Sequence, residues 1–496
     1  VKALAAIVEG LPEIVVHGPT TAPVRGICLD SRRVEHAFLF AALEGAKADG
    51  RKFVAQAVRN GASAVLSAPP RPSGISENTT WIESDAPRRT LAALSKNFFD
   101  RADEALSVVG ITGTDGKTTT AQMLAAALGE LSMKCAVCGT LGETIDADWA
   151  QSALTTPEAP DLWSFLSRAR DRGCEAAVVE VSSVALIADR VHGMAFDIAI
   201  LTGIGHDHLD LHGDMDAYVA AKCMLFERLG SEGLAILPAD DEHLATFREA
   251  SSASVQTFGF SQEADWRVED HRASRNGATF RLAGPAGAFN LSTPRPGRWD
   301  ALNLAAGVAA AAHLGLDPKL CAEAIAEMPP IAGRFESIDR GQRFSAIVDY
   351  AHTPEAISRL LEAMRTVTPG RLILVFGCGG DRDREKRAPM GRAAARGADL
   401  VLLTDDNPRS EEPRAIADEI LEGIDGTRDH VLRIADRREA IFAAVEAAQA
   451  DDSVIIAGKG HETGQRFADR TIPFDDRSVL AAALDQRLCR DRRRAE

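Results

Sequence analysis

Residues 106–131, LSVVGITGTDGKTTTAQMLAAALGEL, constrain this chain more than any other stretch, because an apolar run meets a glycine turn and passes at once into helical spacing. Leu106, Val108, Val109 and Ile111 read as a buried strand, and Met123, Leu124, Leu128 and Leu131 as the apolar face of a helix. Gly110, Gly113 and Gly116 let the backbone turn sharply and bring successive N–H groups close to an anion. Lys117 adds a point charge, and the Thr118 hydroxyl is a ligand for the magnesium that travels with a nucleotide. The spacing departs from the usual phosphate-loop pattern, which wants Gly where Ile111 stands; Gly110 comes one residue early. An ordinary strand-to-helix turn with a coincidental lysine is the alternative.

One phosphate loop does not fill 496 residues, a length that calls for about two to four domains. A hydrophobic content of 45% with 26% charged residues describes a soluble globular protein, and 40 glycines with many alanines suit helices wound on parallel sheets. The formal charge of -16 argues against bulk nucleic-acid binding while leaving room for a local basic site that holds anionic substrates. No apolar run is long enough to span a bilayer, and VKALAAIVEGLPEIVVHG meets acidic and proline residues too early for a signal peptide, so the expected location is the cytoplasm. The eight cysteines, Cys28, Cys174, Cys321 and Cys489 among them, do not form a secreted disulfide framework. Cys135 and Cys138 have redox or zinc spacing but no second pair nearby, and are expected to be buried thiols.

In chain order, residues 1–104 read as a small α/β domain with strands at 24–29, 37–42 and 64–66, a helix at 53–60 and a Pro/Ser/Gly-rich loop at 68–80. Residues 105–331 alternate strands with helices, which implies a parallel sheet. Its strand at 176–181 ends in Glu180, Val181, Ser182 and Ser183, and a carboxylate beside a phosphate loop is placed to hold magnesium directly or through water. The strand at 196–202 runs into His206, Asp207, His208, Asp210 and His212, which invites a zinc-hydrolase reading; the spacing does not match that pattern and no glutamate base is evident. Helices are expected at 218–229, carrying Lys222, and at 301–314. Met328, Pro329, Pro330 and Gly333 read as a hinge. Residues 332–496 form a second βα series, with strands at 345–349, 371–376, 400–403 and 453–457 that each end in a polar motif. Four such motifs at the carboxyl ends of parallel strands converge on one crevice. A nucleotide site in one domain and a polar rim on another suggest ATP activating a carboxylate as an acyl phosphate, which an amine then attacks to form an amide.

The order of GITGTDGKTT ending at Thr119, EVSS at Glu180–Ser183, DHLD at Asp207–Asp210, AKCMLF around Lys222, GRFE at Gly333–Glu336, DYAHTP at Asp349–Pro354, TDDNPR ending at Arg409, and GKGHE at Gly458–Glu462 resembles the Mur ligase family over essentially the whole chain. That resemblance implies an α/β fold of three domains: a small N-terminal α/β domain that binds a UDP-sugar, a central P-loop-type parallel-sheet ATPase domain, and a Rossmann-like C-terminal domain for the incoming amino acid. It is greatest to the branch that adds the third residue to UDP-N-acetylmuramoyl-L-alanyl-D-glutamate in peptidoglycan precursor synthesis. Within the family the Asp406-Asn407-Pro408-Arg409 motif goes with meso-diaminopimelate rather than lysine. Arg409 suits a distal carboxylate and Glu462 an ammonium, since diaminopimelate ends in both and lysine in an amine alone.

By the same resemblance, Gly113, Thr114, Asp115, Gly116, Lys117, Thr118, Thr119, Asn303 and Arg334 contact ATP. Thr118, Glu180, His208 and a carbamylated Lys222 serve Mg2+, and Lys117, Lys222, His208, Asp349 and His352 form the catalytic set. Leu29, Ser31, Ala46, Lys47 and Ala48 match the uridine-binding stretches, and Thr155, Thr156, Ser182 and Arg190 those for the muramoyl peptide. Arg387, Asp406, Asn407, Pro408, Arg409, Gly458 and Glu462 match the diaminopimelate site. The partners implied are small-molecule substrates of a monomer, with no nucleic acid and no membrane span. This chain departs from the family by having Asp115 for Asn, Val184 for His, Ala188 for Gln, Gly203 for Asn, and Asp300-Ala-Leu-Asn303 for Asn-Val-x-Asn. An acidic Asp115 should repel ATP phosphates unless a cation or proton compensates. A diverged paralogue with another acceptor, or a protein that binds without turnover, are the rival readings; joint retention of Lys117, Glu180, His208 and Lys222 argues against the latter.

Overall fold

Side-chain alternation in the strand Ser107–Thr112 sets up the central layer of the computed structural model, which describes residues 1–11, 13–45, 48–76, 78–146, 148–424 and 429–495. Val109 and Ile111 face the helices Lys117–Glu130, Arg298–His313 and Pro318–Glu327, while Val108 faces Ala159–Asp171 and Met215–Phe226 on the other side. All three side chains are fully buried, each worth about 1.5–3 kcal/mol to the folded state.

That strand lies inside an 11-stranded sheet, between Ala176–Glu180 and Phe196–Leu201, both parallel to it. The glycine turn, Glu180 and the segment after Leu201 therefore emerge side by side. The parallel region expected from the sequence runs from Cys135–Gly139 to Trp266–Ser274, and antiparallel strands extend it at both edges. The reason lies in the connections: Arg275-Asn276 and Pro285-Ala286 leave only two residues between paired strand ends, too few for a crossover helix.

The N-terminal sheet has five strands, ordered Val15–His17, Thr80–Glu83, Ala62–Ser67, Phe38–Ala41, Gly26–Cys28. Val15–His17 and Thr80–Glu83 are short strands not expected from the sequence, the second beginning where the loop at 68–80 was read. The C-terminal sheet has six, ordered Glu336–Ser337, Ser345–Asp349, Ser453–Ala457, Leu372–Phe376, Leu400–Leu403, Val431–Arg433. Its four parallel inner strands end at Asp349, Ala457, Phe376 and Leu403, so the four polar motifs share one edge.

The expected helices at 218–229 and 301–314 begin three residues earlier, at Met215 and Arg298, and Leu229 already opens the next strand. At the hinge, Gly333 has φ +62°, and a Cβ there would sit 2.2 Å from the backbone of Gly460. No other residue fits that crossing. No helix among the described residues is long and apolar enough to cross a membrane.

Candidate active site

The turn after Thr112 needs its glycines for both conformation and space. Gly113 (φ +143°) and Gly116 (φ +89°) are left-handed, and Cβ atoms on them would lie 2.0 Å from Thr202 Oγ1 and 2.8 Å from Asn303 Oδ1. Gly116 caps the helix Lys117–Glu130 without a side-chain bond, so its first N–H groups point outward as an anion cradle. Lys117 Nζ folds back over the cradle, donating to Gly113 O and Thr114 O at 2.8 Å each. Burial lowers its pKa, against the pull of Glu180 and Asp115. Thr119 is buried, and Asn303 accepts from Thr120 Oγ1 at 3.3 Å. Gly203, at φ +138°, occupies a backbone conformation that favours glycine, and its carbonyl accepts from Thr114 N.

Behind the cradle stands Glu180, 1% exposed. It accepts from Thr118 Oγ1 at 2.9 Å, and from Thr140 N and Oγ1 at 3.0 Å each, and no basic side chain among the described residues pairs with it. A buried carboxylate compensated only by hydroxyls and an amide fits a hard cation whose remaining ligands are water and phosphate. Among the described residues no group of three or more His, Cys, Asp or Glu could hold a metal, which leaves the zinc reading of 206–212 without a cage. His208, with left-handed φ +57°, turns toward Asp207 (Nε2 to Oδ2 3.4 Å). Lys222 is buried, with Nζ 2.9 Å from Gly113 O and 4.4 Å from the centroid of the Tyr218 ring. Burial, with Lys117 adding to it, pushes its pKa well below the usual lysine value. Thus Thr118 and Glu180 touch, whereas Lys222 and His208 lie in the same electrostatic neighbourhood through other partners. Cys135 and Cys138 are free thiols, the second fully buried.

From across the hinge, Arg334 stacks on Tyr350 (4.2 Å) and reaches Thr118 Oγ1 at 3.4 Å. Asp349 accepts from Phe335 N and Ala351 N at 2.7 Å each, so its carboxylate braces the chain that carries Arg334 and His352. His352 Nδ1 meets Tyr350 O at 2.9 Å; a carbonyl only accepts, so Nδ1 carries the proton and Nε2 the lone pair. Burial, with Lys386 adding to it, brings the His352 pKa down to about 4.

In the C-terminal rim, Asn407 Nδ2 donates to Asp406 Oδ1 (3.0 Å) and Glu462 Oε2 (2.8 Å), and the buried Lys459 joins Asn407 Oδ1 to Glu462 Oε2. Pro408 O would lie 1.9 Å from a Cβ on Gly380, and Gly458 (φ +112°) packs under Asp406. Asp406 Oδ2 and Arg437 Nη1 face each other at 3.9 Å, neither hydrogen-bonded. Arg409 is half-buried with left-handed φ +54°, and donates from Nη1 to Gly380 O at 2.6 Å. Among the described residues it has no carboxylate in ion-pair range. Arg387, expected in the diaminopimelate site, lies beneath the Gly379–Gly380 turn that Arg409 also contacts. It is fully buried, with Nη1 and Nη2 on Glu411 and Glu419 at 2.8–2.9 Å, and it holds Gly379 O. Its charge is spent under the loop that Arg409 contacts.

Thr155, Thr156, Ser182 and Arg190 come together near Glu180. Thr156 Oγ1 bonds Glu180 O, Ser182 caps the helix Ser183–Ile187, and Arg190 holds Thr156 O while paired with Glu158. Thr155 meets Thr140 at 3.1 Å. Ser31 is buried on Gln56, Leu29 packs against the N-terminal core, and Ala48 O accepts from Gly45 N; Ala46 and Lys47 lie outside the described residues.

Sequence reasoning missed Lys386, Arg359 and Thr140. Burial disfavours charge on Asp207, yet Lys386 from the C-terminal domain (3.7 Å), with His208, His352 and Lys117, holds its pKa at about 2. The only sequence signal for Lys386 was the basic cluster preceding Arg387.

Family models described as the Mur ligase family catalytic domain, the Mur ligase middle domain and the Mur ligase glutamate ligase domain match residues 23–99, 111–311 and 333–460. A protein of Syntrophomonas wolfei named UDP-N-acetylmuramoyl-L-alanyl-D-glutamate--2,6-diaminopimelate ligase is 38% identical over 484 residues, 97% of this chain and 99% of its own. One of the same name from Solibacter usitatus is 42% identical over 464 residues, 93% of each chain. A solved structure of a ligase of that name superposes with TM-score 0.69 at 33% identity, covering 98% of this chain and 99% of the other.

Proposed function

The chain belongs to the Mur ligase family, and from that membership we propose that it performs the reaction for which its relatives are named. It is an ATP-dependent amide ligase that joins meso-diaminopimelate to UDP-N-acetylmuramoyl-L-alanyl-D-glutamate, with ATP cleaved to ADP and phosphate. The observation that carries the amino-acid choice is Arg409, a half-buried guanidinium that among the described residues has no carboxylate in ion-pair range, near the acidic groups Asp406 and Glu462. A distal end bearing both carboxylate and ammonium matches that arrangement, and a lone amine leaves Arg409 unpaired.

In this reading residues 1–104 hold the UDP-sugar through Leu29, Ser31 and the 46–48 stretch, residues 105–331 bind ATP, and residues 332–496 bind the amino acid. Gly113 to Thr119 cradle the phosphates, with Asn303 against the turn. Thr118 and Glu180 would hold Mg2+, which supplies charge neutralisation on the phosphates; His208 completes the set. Lys222, whose pKa burial lowers well below the usual lysine value, offers an amine that could add CO2 and lose a proton, turning it into a carbamate with oxygen donors. Thr155, Thr156, Ser182 and Arg190 orient the glutamyl carboxylate toward the γ-phosphate. Carboxylate oxygen attacks phosphorus and ADP leaves; the amine then attacks the acyl carbon and phosphate leaves. Arg334 stabilises charge on the transferred group, and His352 Nε2 is free to take a proton. Arg387 and Asp349 position the residues around them. The substrates are small molecules, the setting is the cytoplasm, and the protein acts as a monomer without nucleic acid.

The test is to incubate the protein with ATP, magnesium, the UDP-muramoyl dipeptide and meso-diaminopimelate, and to follow the nucleotide product by mass. A UDP-muramoyl tripeptide formed in step with ADP is expected; ADP without tripeptide would overturn the reading.

A further inference from the structure

Asp115 places a carboxylate within the phosphate cradle, where its charge bears on Lys117, Lys222, Asp349 and His352. Left alone, it would oppose an incoming polyphosphate. Its partner comes from the other side of the hinge. Arg359, on the helix Pro354–Val367, brings Nη1 to 3.5 Å from Asp115 Oδ2, and is the only basic side chain among the described residues in ion-pair range of it. The same guanidinium lies 4.1 Å above the ring of Trp299, a 44% exposed tryptophan at the start of the helix that carries Asn303. Arg359 is therefore fixed to the central domain at two points, the loop by charge and the indole by a cation–π contact. With the partners 244 positions apart in the sequence, the pair exists only while the amino-acid domain rests against the ATP domain.

We propose that Arg359 is a positioning residue for ATP. It supplies the counter-charge that lets a cradle containing Asp115 accept the triphosphate, and it makes that neutralisation conditional on closure of the domain carrying Arg409. The inference rests on the reading of residues 113–119 as the ATP site. It differs from the pairing of Lys386 with Asp207, which faces the histidine cluster instead.

The test is a cycle of R359M, D115N and the double variant, read as KM for ATP and KM for meso-diaminopimelate, with nucleotide binding by calorimetry and folding by circular dichroism. R359M is expected to raise KM for ATP by at least about fivefold, with KM for the amino acid unchanged. Adding D115N to R359M removes the unpaired carboxylate and should return KM for ATP to within about twofold of wild type. An unchanged KM for ATP in R359M, a double variant as impaired as R359M, or an equal rise in both constants would each overturn the proposal. A wild-type protein that needs no ATP would overturn the nucleotide reading itself, so the two failures are separable.

Discussion

Replacing Arg409 by alanine removes a guanidinium that has no carboxylate in ion-pair range among the described residues, while the backbone keeps its bond from Arg409 N to Arg466 O. Two parallel N–H···O bonds to a substrate carboxylate are worth about 1.5–3 kcal/mol each when one partner is charged. Arg409 is only half-buried, and one of its nitrogens already serves Gly380 O at 2.6 Å, so the loss falls to about 2–4 kcal/mol, or roughly 30- to 1,000-fold in affinity. The assay is steady-state ADP formation at saturating ATP and dipeptide, with meso-diaminopimelate and L-lysine varied in parallel. KM for diaminopimelate should rise by that factor while the weak activity with lysine stays put. R409K should fall between, keeping the charge but losing the fork. An unchanged KM for diaminopimelate, or an equal loss with lysine, would refute the assignment of Arg409 to the substrate carboxylate.

Lys222→Ala should abolish most turnover and regain part of it with added short carboxylates; full activity without them would rule out a carbamate at Lys222. Asp300 gives a pH test. Burial lifts its pKa to about 6, with Arg295 opposing and Asp349 adding, so the native state holds the proton more tightly than the unfolded chain. Its favourable contribution is present below the unfolded value of 3.8 and is lost as pH rises through about 6. Asp300→Asn should therefore match wild type near pH 3 and be more stable at pH 8 by about 1–2 kcal/mol, a figure reduced from the full shift because Asp300 is partly exposed. A melting-temperature difference that does not grow with pH would contradict this.

The strand, turn and helix at 106–131 were legible because the glycines, the lysine and the change of hydrophobic period agree locally. The four motifs of the C-terminal rim were legible for the same reason, since parallel strands deliver their carboxyl ends to one edge. What stayed hidden depends on distant partners. Nothing near Arg387 announces that Glu411 and Glu419 occupy it, and nothing near Asp115 points to Arg359. The concern that Asp115 would repel phosphate was sound electrostatics with its compensating cation missing from the local sequence. The antiparallel edge at 266–293 could have been found from Arg275-Asn276-Gly277 and Gly284-Pro285-Ala286-Gly287, whose turn chemistry was outweighed by the expectation of alternating helices.

The central claim is a ligase whose C-terminal rim selects an amino acid by its distal carboxylate. Its most direct test is the ratio of kcat/KM for meso-diaminopimelate over L-lysine in the unmodified protein, with ATP, magnesium and the UDP-muramoyl dipeptide saturating. A ratio of about a thousand or more is expected, because lysine leaves a polar site unpaired. Comparable values for the two amino acids would contradict the claim.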